Sequence, residues 1–159
     1  MKVVKARAYC SSANLGPGFD VVALALDAFY DEVEVRVRKS GRTKVKVTSV
    51  LGVNHELIKG LNTAELAARK LLETCGVDAY VEIKVIKGIP VGKGLGSSGA
   101  SAVATTVALA EALDLNVRTE DLLLASGHGE LASAGVAHYD NVATSLLGGL
   151  VVVFPGNKP

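Results

Sequence analysis

A glycine-rich run at residues 88–101 is the most informative part of this sequence. It reads Gly88-Ile89-Pro90-Val91-Gly92-Lys93-Gly94-Leu95-Gly96-Ser97-Ser98-Gly99-Ala100-Ser101. Residues 80–87, before it, alternate apolar and polar side chains, which is typical of a half-buried strand. Residues 97–113, after it, are rich in Ala, Ser and Thr and are long enough for a helix. A tight turn needs only one or two glycines, so this loop predicts a close approach of the backbone to a ligand.

The loop has the chemistry of a phosphate site. Glycines allow consecutive backbone N–H groups to point into one concavity, and the helix that follows adds unpaired N–H groups and the positive end of its dipole. Ser97 and Ser98, in the first helical turn, can donate to phosphate oxygens or bind Mg²⁺. Lys93 either reaches a phosphate as a point charge or is solvated. The residues from Pro90 to Ser101 are therefore the predicted phosphate-binding segment.

The spacing excludes two common nucleotide motifs. A P-loop ends in Gly-Lys-Ser/Thr, whereas Lys93 is followed by Gly94. A dinucleotide fingerprint is spaced GxGxxG, whereas Gly92, Gly94 and Gly96 are spaced GxGxG. The predicted phosphate loop belongs to neither class.

Outward from the loop, the pattern predicts an α+β fold with a mostly antiparallel sheet and helices on one face. Strands are predicted at residues 2–10, 21–26, 32–38, 44–50, 80–87 and 150–154, and helices at residues 63–75, 97–113, 120–132 and 138–147. The strands at 32–38 and 44–50 are expected to pair as an antiparallel hairpin, and residues 11–20 are expected to form a turn-rich loop. Thr119 is the expected N-cap of the third helix. The small residues of the second helix predict that another backbone packs closely against it.

Composition excludes several protein classes. The 159 residues are 49% hydrophobic with a mean hydropathy of +0.35, which excludes a disordered chain and suits one domain. A net charge of +1 gives no basic field for nucleic acid or for an anionic membrane. Cys10 and Cys75 are too few and too far apart for a disulfide framework or a zinc site. Without a signal-peptide core or an apolar run of about 18 residues, a soluble cytoplasmic protein is expected.

Three segments carry a resemblance to a known family. Residues 90–101 resemble the central phosphate-binding motif of the galactokinase, homoserine kinase, mevalonate kinase and phosphomevalonate kinase superfamily. Residues 11–20, SSANLGPGFD, and residues 138–143, HYDNVA, followed by LLGG at 146–149, are similar to homoserine kinases in particular. The resemblance implies a fold like domain 2 of ribosomal protein S5. It also implies transfer of phosphate from ATP, with Mg²⁺, to the side-chain hydroxyl of L-homoserine, giving O-phospho-L-homoserine in threonine biosynthesis.

The resemblance also implies roles for residues on the substrate side. Asn14 would hydrogen-bond homoserine, Asp20 would pair with its ammonium or hold its hydroxyl, and His138 would contact it. The residues alone are equally consistent with Asn14 and Asp20 as turn residues. Asn141 would lie near the reacting hydroxyl and is the catalytic candidate, ranked above the adjacent Asp140. An amide cannot take a proton at neutral pH, so positioning and charge stabilisation would carry the reaction, with the γ-phosphate as the eventual proton acceptor.

On the nucleotide side, the implied ligands of Mg²⁺ are Glu130 and a serine of the loop, Ser98 being preferred to Ser97. A helical glutamate without such context would be a solvated residue. Asn62 and Lys87 would contact adenine or ribose, although Asn62 by itself fits better as a helix N-cap.

The domain organisation follows from the same resemblance. Residues 1–154 are expected to form the N-terminal ATP-binding domain and residues 155–159 an interdomain tail, with a C-terminal ferredoxin-like domain lying outside this chain. Two alternatives stay open: a non-catalytic nucleotide-binding fragment, and a related kinase acting on mevalonate, shikimate or a sugar. ATP and homoserine are the expected partners. A nucleic acid or a membrane is not expected, since the charge disfavours RNA binding, and a homodimer is left open.

Overall fold

The computed structural model describes residues 1–58, 60–135 and 137–154, so the predicted tail at 155–159 lies outside the described residues. The elements along the chain are β1 (Lys2–Leu15), β2 (Gly18–Lys39), β3 (Lys44–Gly52), a 3₁₀ turn (His55–Leu57), α1 (Thr63–Cys75), β4 (Ala79–Lys87), α2 (Ser97–Ala112), α3 (Thr119–Ala134), α4 (Tyr139–Leu147) and β5 (Leu150–Val152). Among these residues no helix combines the length and the apolar character needed to cross a bilayer.

The five strands form one mixed sheet. Its order is β1-β2-β4-β3, and the short β5 pairs with the first half of β2. The pairs β1/β2, β2/β4 and β2/β5 are antiparallel, and only β3 and β4 run parallel. The predicted α+β class with a mostly antiparallel sheet is therefore confirmed.

The predicted hairpin between residues 32–38 and 44–50 is wrong. β4 lies between these two strands, so that Val35 of β2 and Val47 of β3 are both partners of Ile83. β3 is followed by α1, which crosses over and allows β4 to return parallel to β3. Alternation assigns each residue to a face of a sheet, but it does not identify the neighbouring strand.

The first motif is also more regular than expected. Residues 11–20 belong mostly to strands, because β1 continues to Leu15 and β2 begins at Gly18, leaving only the turn at 16–17. β2 runs unbroken through the two strands predicted at 21–26 and 32–38. At the third helix, Thr119 is the first helical residue rather than the cap, which is Arg118.

One face of the sheet forms the core. Val33 and Val35 of β2 and Val81 and Ile83 of β4 are fully buried, whereas the charged residues between them face solvent. Val103, Ala104 and Leu109 of α2 and Leu71 and Leu72 of α1 belong to the same buried cluster. The opposite face carries surface ion pairs such as Arg7–Glu32 and Arg36–Glu34. The helices thus cover one face, as the alternation predicts.

Small residues bring the helices close together. A Cβ atom on Gly129 of α3 would lie 2.7 Å from the carbonyl oxygen of Thr63 and 3.2 Å from Cβ of Ala102. Gly99 of α2 similarly faces Val142 of α4, whose Cγ2 would lie 3.4 Å from an added Cβ. The close packing predicted from the small residues of α2 is confirmed, and it holds α3 and α4 against the helix that follows the glycine-rich loop.

Candidate active site

The glycine-rich loop joins β4 to α2, as predicted. Gly92, Gly94 and Gly96 have φ angles of 72°, 70° and 65°, a region that L side chains rarely adopt. Gly96 is the N-cap of α2, and its carbonyl accepts the first helical hydrogen bond from Ala100 N. The exposed Lys93 lies at the tip of the loop. The free N–H groups of the first turn of α2 therefore follow directly on the loop, as an anion site requires.

A buried aspartate that the sequence analysis missed connects both ends of this loop. Asp31 of β2 has no exposed surface. Its Oδ1 accepts from the backbone N–H groups of Gly88 and Ile89, each at 3.0 Å. Its Oδ2 accepts from Ser101 Oγ at 2.7 Å and from Ser97 Oγ at 3.3 Å.

A signal for this residue exists in the sequence. Asp31 lies in phase with Val33, Val35 and Val37, all of which are buried. An acidic residue on the buried face of a strand requires partners. The strand predicted at 32–38 simply began one residue too late to include it.

Lys87 is the charged partner of Asp31. Its Nζ donates to Asp31 Oδ2, to the carbonyl oxygen of Ser97 at 2.9 Å and to Ser101 Oγ at 2.8 Å. An ammonium group has three N–H donors, and all three are used inside the protein. Burial lowers the pKa of Lys87, and the charge of Asp31 opposes this shift. A direct bond from Nζ to adenine or ribose would therefore require Lys87 to give up an internal one.

A cavity of about 210 Å³ lies beside the loop. The apolar lining comes mainly from the segment around the 3₁₀ turn and from β4. The polar lining comes mainly from the starts of α1 and α2. The lining residues are Leu57, Ile58, Leu61, Asn62, Thr63, Val85, Lys87, Val91, Ser97, Ser98, Ser101 and Ala132. Asn62 also caps α1, because its side chain accepts from Ala64 N at 2.9 Å. Apolar walls with a few converging polar groups suit a small organic ligand.

Ser98 and Glu130 are adjacent at the edge of this cavity. Ser98 Oγ donates to Glu130 Oε2 at 3.0 Å, and Glu130 is 3% exposed. Burial raises the pKa of Glu130, and the Ser98 hydrogen bond and the electrostatic interactions with His138 and Lys87 partly oppose this. Within the described parts of the chain no three His, Cys, Asp or Glu residues cluster as a metal site. The two oxygens fit a hard cation whose remaining ligands are water and phosphate.

The three sequence motifs meet at one point. Ser11 Oγ donates to Asn141 Oδ1 at 2.8 Å, and Ser11 N donates to the carbonyl oxygen of Leu95 at 3.1 Å. A Cβ atom on Gly96 would overlap Ser11 Oγ and lie 3.0 Å from Asn141 Oδ1. Residues distant in sequence, from the first motif, the loop and α4, are therefore in mutual contact.

Two of the substrate-side candidates, Asn14 and Asp20, lie at the hairpin between β1 and β2, and His138, at the start of α4, lies near Asp20. Asn14 Oδ1 accepts from Asp20 N at 2.8 Å, and both residues have positive φ angles, 59° and 55°. Asp20 Oδ1 lies 4.0 Å from His138 Nδ1, and both side chains are partly exposed. Asp140, in contrast, is buried, and its Oδ1 accepts from Asn141 N. Asn14 and Asp20 thus shape the turn and still leave an exposed carboxylate beside an imidazole.

The fold and this site define a class of protein. The sequence family described as "GHMP kinases N terminal domain" matches residues 57–149, more than half of the chain. The chain therefore belongs to the GHMP kinase family, and the matched part corresponds to the N-terminal domain of these kinases.

Within that class the chain is similar to several proteins that are named homoserine kinase. It is 55% identical over 150 residues to a homoserine kinase of Aeropyrum pernix, covering 94% of this chain and 48% of that protein. It is 50% identical to a homoserine kinase of Sulfolobus acidocaldarius over 92% of this chain and 47% of that protein. The chain spans about half the length of the curated relatives it matches.

Solved structures of kinases also superpose on the chain over about half of their own length. A homoserine kinase of Cytophaga hutchinsonii superposes with a TM-score of 0.86 at 39% identity, covering 96% of this chain and 49% of that one. A mevalonate kinase of L. major superposes with a TM-score of 0.71 at 19% identity, covering 92% of this chain and 47% of that one. At that identity the second likeness shows the fold alone.

Proposed function

We propose that this chain is the nucleotide-binding half of a kinase that transfers the γ-phosphoryl group of ATP to the side-chain hydroxyl of L-homoserine. The observation that carries the proposal is the contact among Ser11, Gly96 and Asn141, which brings the substrate motifs against the phosphate loop. The 55% identity to a homoserine kinase over nearly the whole chain supports the same substrate. The product would be O-phospho-L-homoserine, an intermediate of threonine biosynthesis.

The nucleotide would lie along the loop, with its phosphates on the N–H groups between Gly92 and Gly99, because Ala100 N already donates to the carbonyl oxygen of Gly96. The base and ribose would enter the cavity lined by Asn62 and by the stem of Lys87. Mg²⁺, held by Ser98 and Glu130, would neutralise charge on the phosphate oxygens. Ser98 Oγ and Glu130 Oε2 lie 3.0 Å apart. A hydroxyl and a carboxylate side by side match the ligand preference of that ion.

The substrate would lie between the first motif and α4. Asp20 carries the negative charge that an ammonium group requires, and Asn14 and His138 are adjacent to it. Asn141 would then lie at the hydroxyl, where its amide can donate but cannot take a proton at neutral pH. The hydroxyl oxygen attacks the γ-phosphorus, the bond to the bridging oxygen breaks, and the hydroxyl proton passes to the transferred phosphate. Rate enhancement then comes from alignment and charge stabilisation.

The setting of this activity is part of the proposal. Cys10 and Cys75 are free thiols in the structure, which supports a reducing, cytoplasmic location. Homodimerisation and the lack of a nucleic-acid partner stay predictions from the sequence.

A substrate panel tests the proposal. The chain is assayed for ATP turnover with homoserine, mevalonate and shikimate, alone and mixed with the C-terminal half of a homoserine kinase relative, and Mg·ADP binding is titrated separately. We expect binding to the chain alone and phosphorylation of homoserine in the mixture. Phosphorylation of mevalonate but not homoserine would overturn the substrate. Binding of Mg·ADP with no turnover in either sample would instead favour a non-catalytic nucleotide-binding domain.

A further inference from the structure

We infer that Asp31 is the positioning residue of the phosphate loop: from the neighbouring strand, its carboxylate holds both ends of the loop in the geometry that binds a nucleotide. The inference deepens the proposed function and rests on it. Asp31 belongs to none of the three sequence motifs, and its side chain is fully buried behind the loop. It would therefore act on the nucleotide only through the groups that it orients.

The two carboxylate oxygens divide the loop between them. Oδ1 binds the N–H groups of Gly88 and Ile89, where the chain leaves β4. Oδ2 binds the hydroxyls of Ser97 and Ser101, in the first turn and a half of α2. One rigid planar group thus sets the separation between the entry and the exit of a segment whose glycines confer little stiffness of their own.

The position of the helix start is what matters for a bound phosphate. The N–H groups of the first turn of α2 follow Gly96, and Ser98 lies in that same turn. A shift of the turn by a fraction of an ångström would misalign these donors together, because they share one backbone. Asp31 resists such a shift through Ser97 and Ser101, which flank Ser98 on the helix.

Stability alone is a weak reason for this ion pair. A buried ion pair seldom stabilises a fold more than apolar residues of the same volume would. Asp31 and Lys87 are both at most 3% exposed, and the strands that carry them, β2 and β4, bury Val33, Val35, Val81 and Ile83 on the core face. The pair differs from an apolar filling because Asp31 accepts hydrogen bonds from four further donors, at the two ends of the loop.

The removal of one partner alone has a predictable complication. In Asp31→Asn the amide NH₂ group would face the Lys87 ammonium, which can only donate, and the ammonium would lose its counter-charge. Such a variant could fail to fold. The double variant Asp31→Leu with Lys87→Met removes both charges and every hydrogen bond from residue 31 to the loop, and it nearly keeps the volume. Asp31→Asn with Lys87→Met is the control for the loss of Lys87, because its amide can still bind both ends of the loop. An equal fall of Mg·ADP affinity in this control would assign the effect to Lys87 and overturn the role of Asp31. Glu32→Gln, one residue along on the solvent face, is the matched control, since Glu32 pairs only with the surface residues Lys5 and Arg7 among the described contacts.

The experiment titrates Mg·ADP and unfolds each protein by urea, with binding measured well below the unfolding transition. We expect the Mg·ADP affinity of the folded double variant to fall at least about tenfold, the loss that several misplaced charge-assisted hydrogen bonds produce. Glu32→Gln should bind like the wild type. In the mixture that phosphorylates homoserine, KM for ATP should rise in the double variant while KM for homoserine does not, a split that a general loss of stability would not produce.

The possible failures are distinguishable. Wild-type affinity in the folded double variant would overturn the role of Asp31 and leave the proposed function intact. Equal rises of both KM values would also overturn it, because the effect would not be specific to the phosphate loop. If the wild-type chain itself binds no Mg·ADP, the proposed function falls, and the role of Asp31 falls with it.

Discussion

Ser11 Oγ and Asn141 Oδ1 are joined by a 2.8 Å hydrogen bond although the two residues are 130 positions apart in the sequence. The Ser11 hydroxyl is buried, and its backbone N–H is bound to the loop at Leu95. With Oδ1 occupied in this way, the amide of Asn141 presents its NH₂ group, which only donates. If the substrate hydroxyl binds beside Asn141 as proposed, the amide would act on it as a donor.

Ser11→Ala should lower kcat for homoserine phosphorylation by roughly tenfold, because the amide of Asn141 loses the partner that orients it. KM for ATP should stay close to the wild-type value, since Ser11 does not line the nucleotide cavity. Steady-state kinetics on the active mixture of the two halves measures both constants. Ser12→Ala, at the next position of β1, is the control, and an equal kcat in the two variants would contradict the orienting role.

Gly96→Ala should destabilise the fold more than Gly94→Ala. Both glycines have positive φ, so each substitution costs about 1 kcal/mol or more in backbone strain. Only at Gly96 would the new methyl overlap Ser11 Oγ and approach Asn141, whereas nothing lies within 4 Å of a Cβ at Gly94. Urea unfolding measures the free energy of unfolding of each variant. Equal losses of stability in the two variants would show that the contact among the three motifs can accommodate an added methyl group.

Glu130→Gln should separate stability from binding. Burial raises the pKa of Glu130 above its ordinary value of 4.5, so the folded state holds this proton more tightly than the unfolded state. The stabilising contribution of Glu130 is therefore complete below pH 4.5 and is lost as the pH rises through the raised pKa. Glutamine keeps an oxygen that accepts from Ser98, and because it does not ionise, it does not lose stability as the pH rises. Without metal at pH 7, the variant should be more stable than the wild type and yet bind Mg·nucleotide more weakly.

Thermal unfolding in EDTA as a function of pH, with nucleotide titrations at pH 7, measures both effects. Glu120→Gln, at an exposed position near the start of the same helix, is the control and should change neither quantity. A loss of stability at pH 7 in Glu130→Gln, or unchanged Mg·nucleotide affinity, would argue against Glu130 as a buried ligand of the ion.

Gly129→Ala should destabilise the helical layer by about 1–3 kcal/mol, the usual cost of overpacking. The added methyl would lie 2.7 Å from the carbonyl oxygen of Thr63 and 3.0 Å from Cβ of Ala67. Urea unfolding measures the change. Gly41→Ala, where nothing lies within 4 Å, is the control, and equal stability of the two variants would mean that α1 and α3 can separate freely.

Local pattern was sufficient for much of the fold and of the site. Asn62, Thr63 and Gly76 mark the ends of α1 because capping depends on bonds within one turn. The glycines of the phosphate loop identified a strand–loop–helix unit for a similar reason, since positive φ is a property of single residues. The pairing of Ser98 with Glu130 was expected only through the resemblance, and it is present in the structure.

Two features required the three-dimensional structure. Val35 and Val47 alternate alike, and nothing local indicates that Ile83 lies between them, because strand order depends on how α1 crosses over the sheet. Asp31 lies 56 positions from Lys87, and only the pairing of β2 with β4 brings the two charges together. Short stretches of this sequence thus determine the local backbone conformation and the face of the sheet on which each residue lies. They do not determine the partners of buried polar groups, because long-range packing selects them.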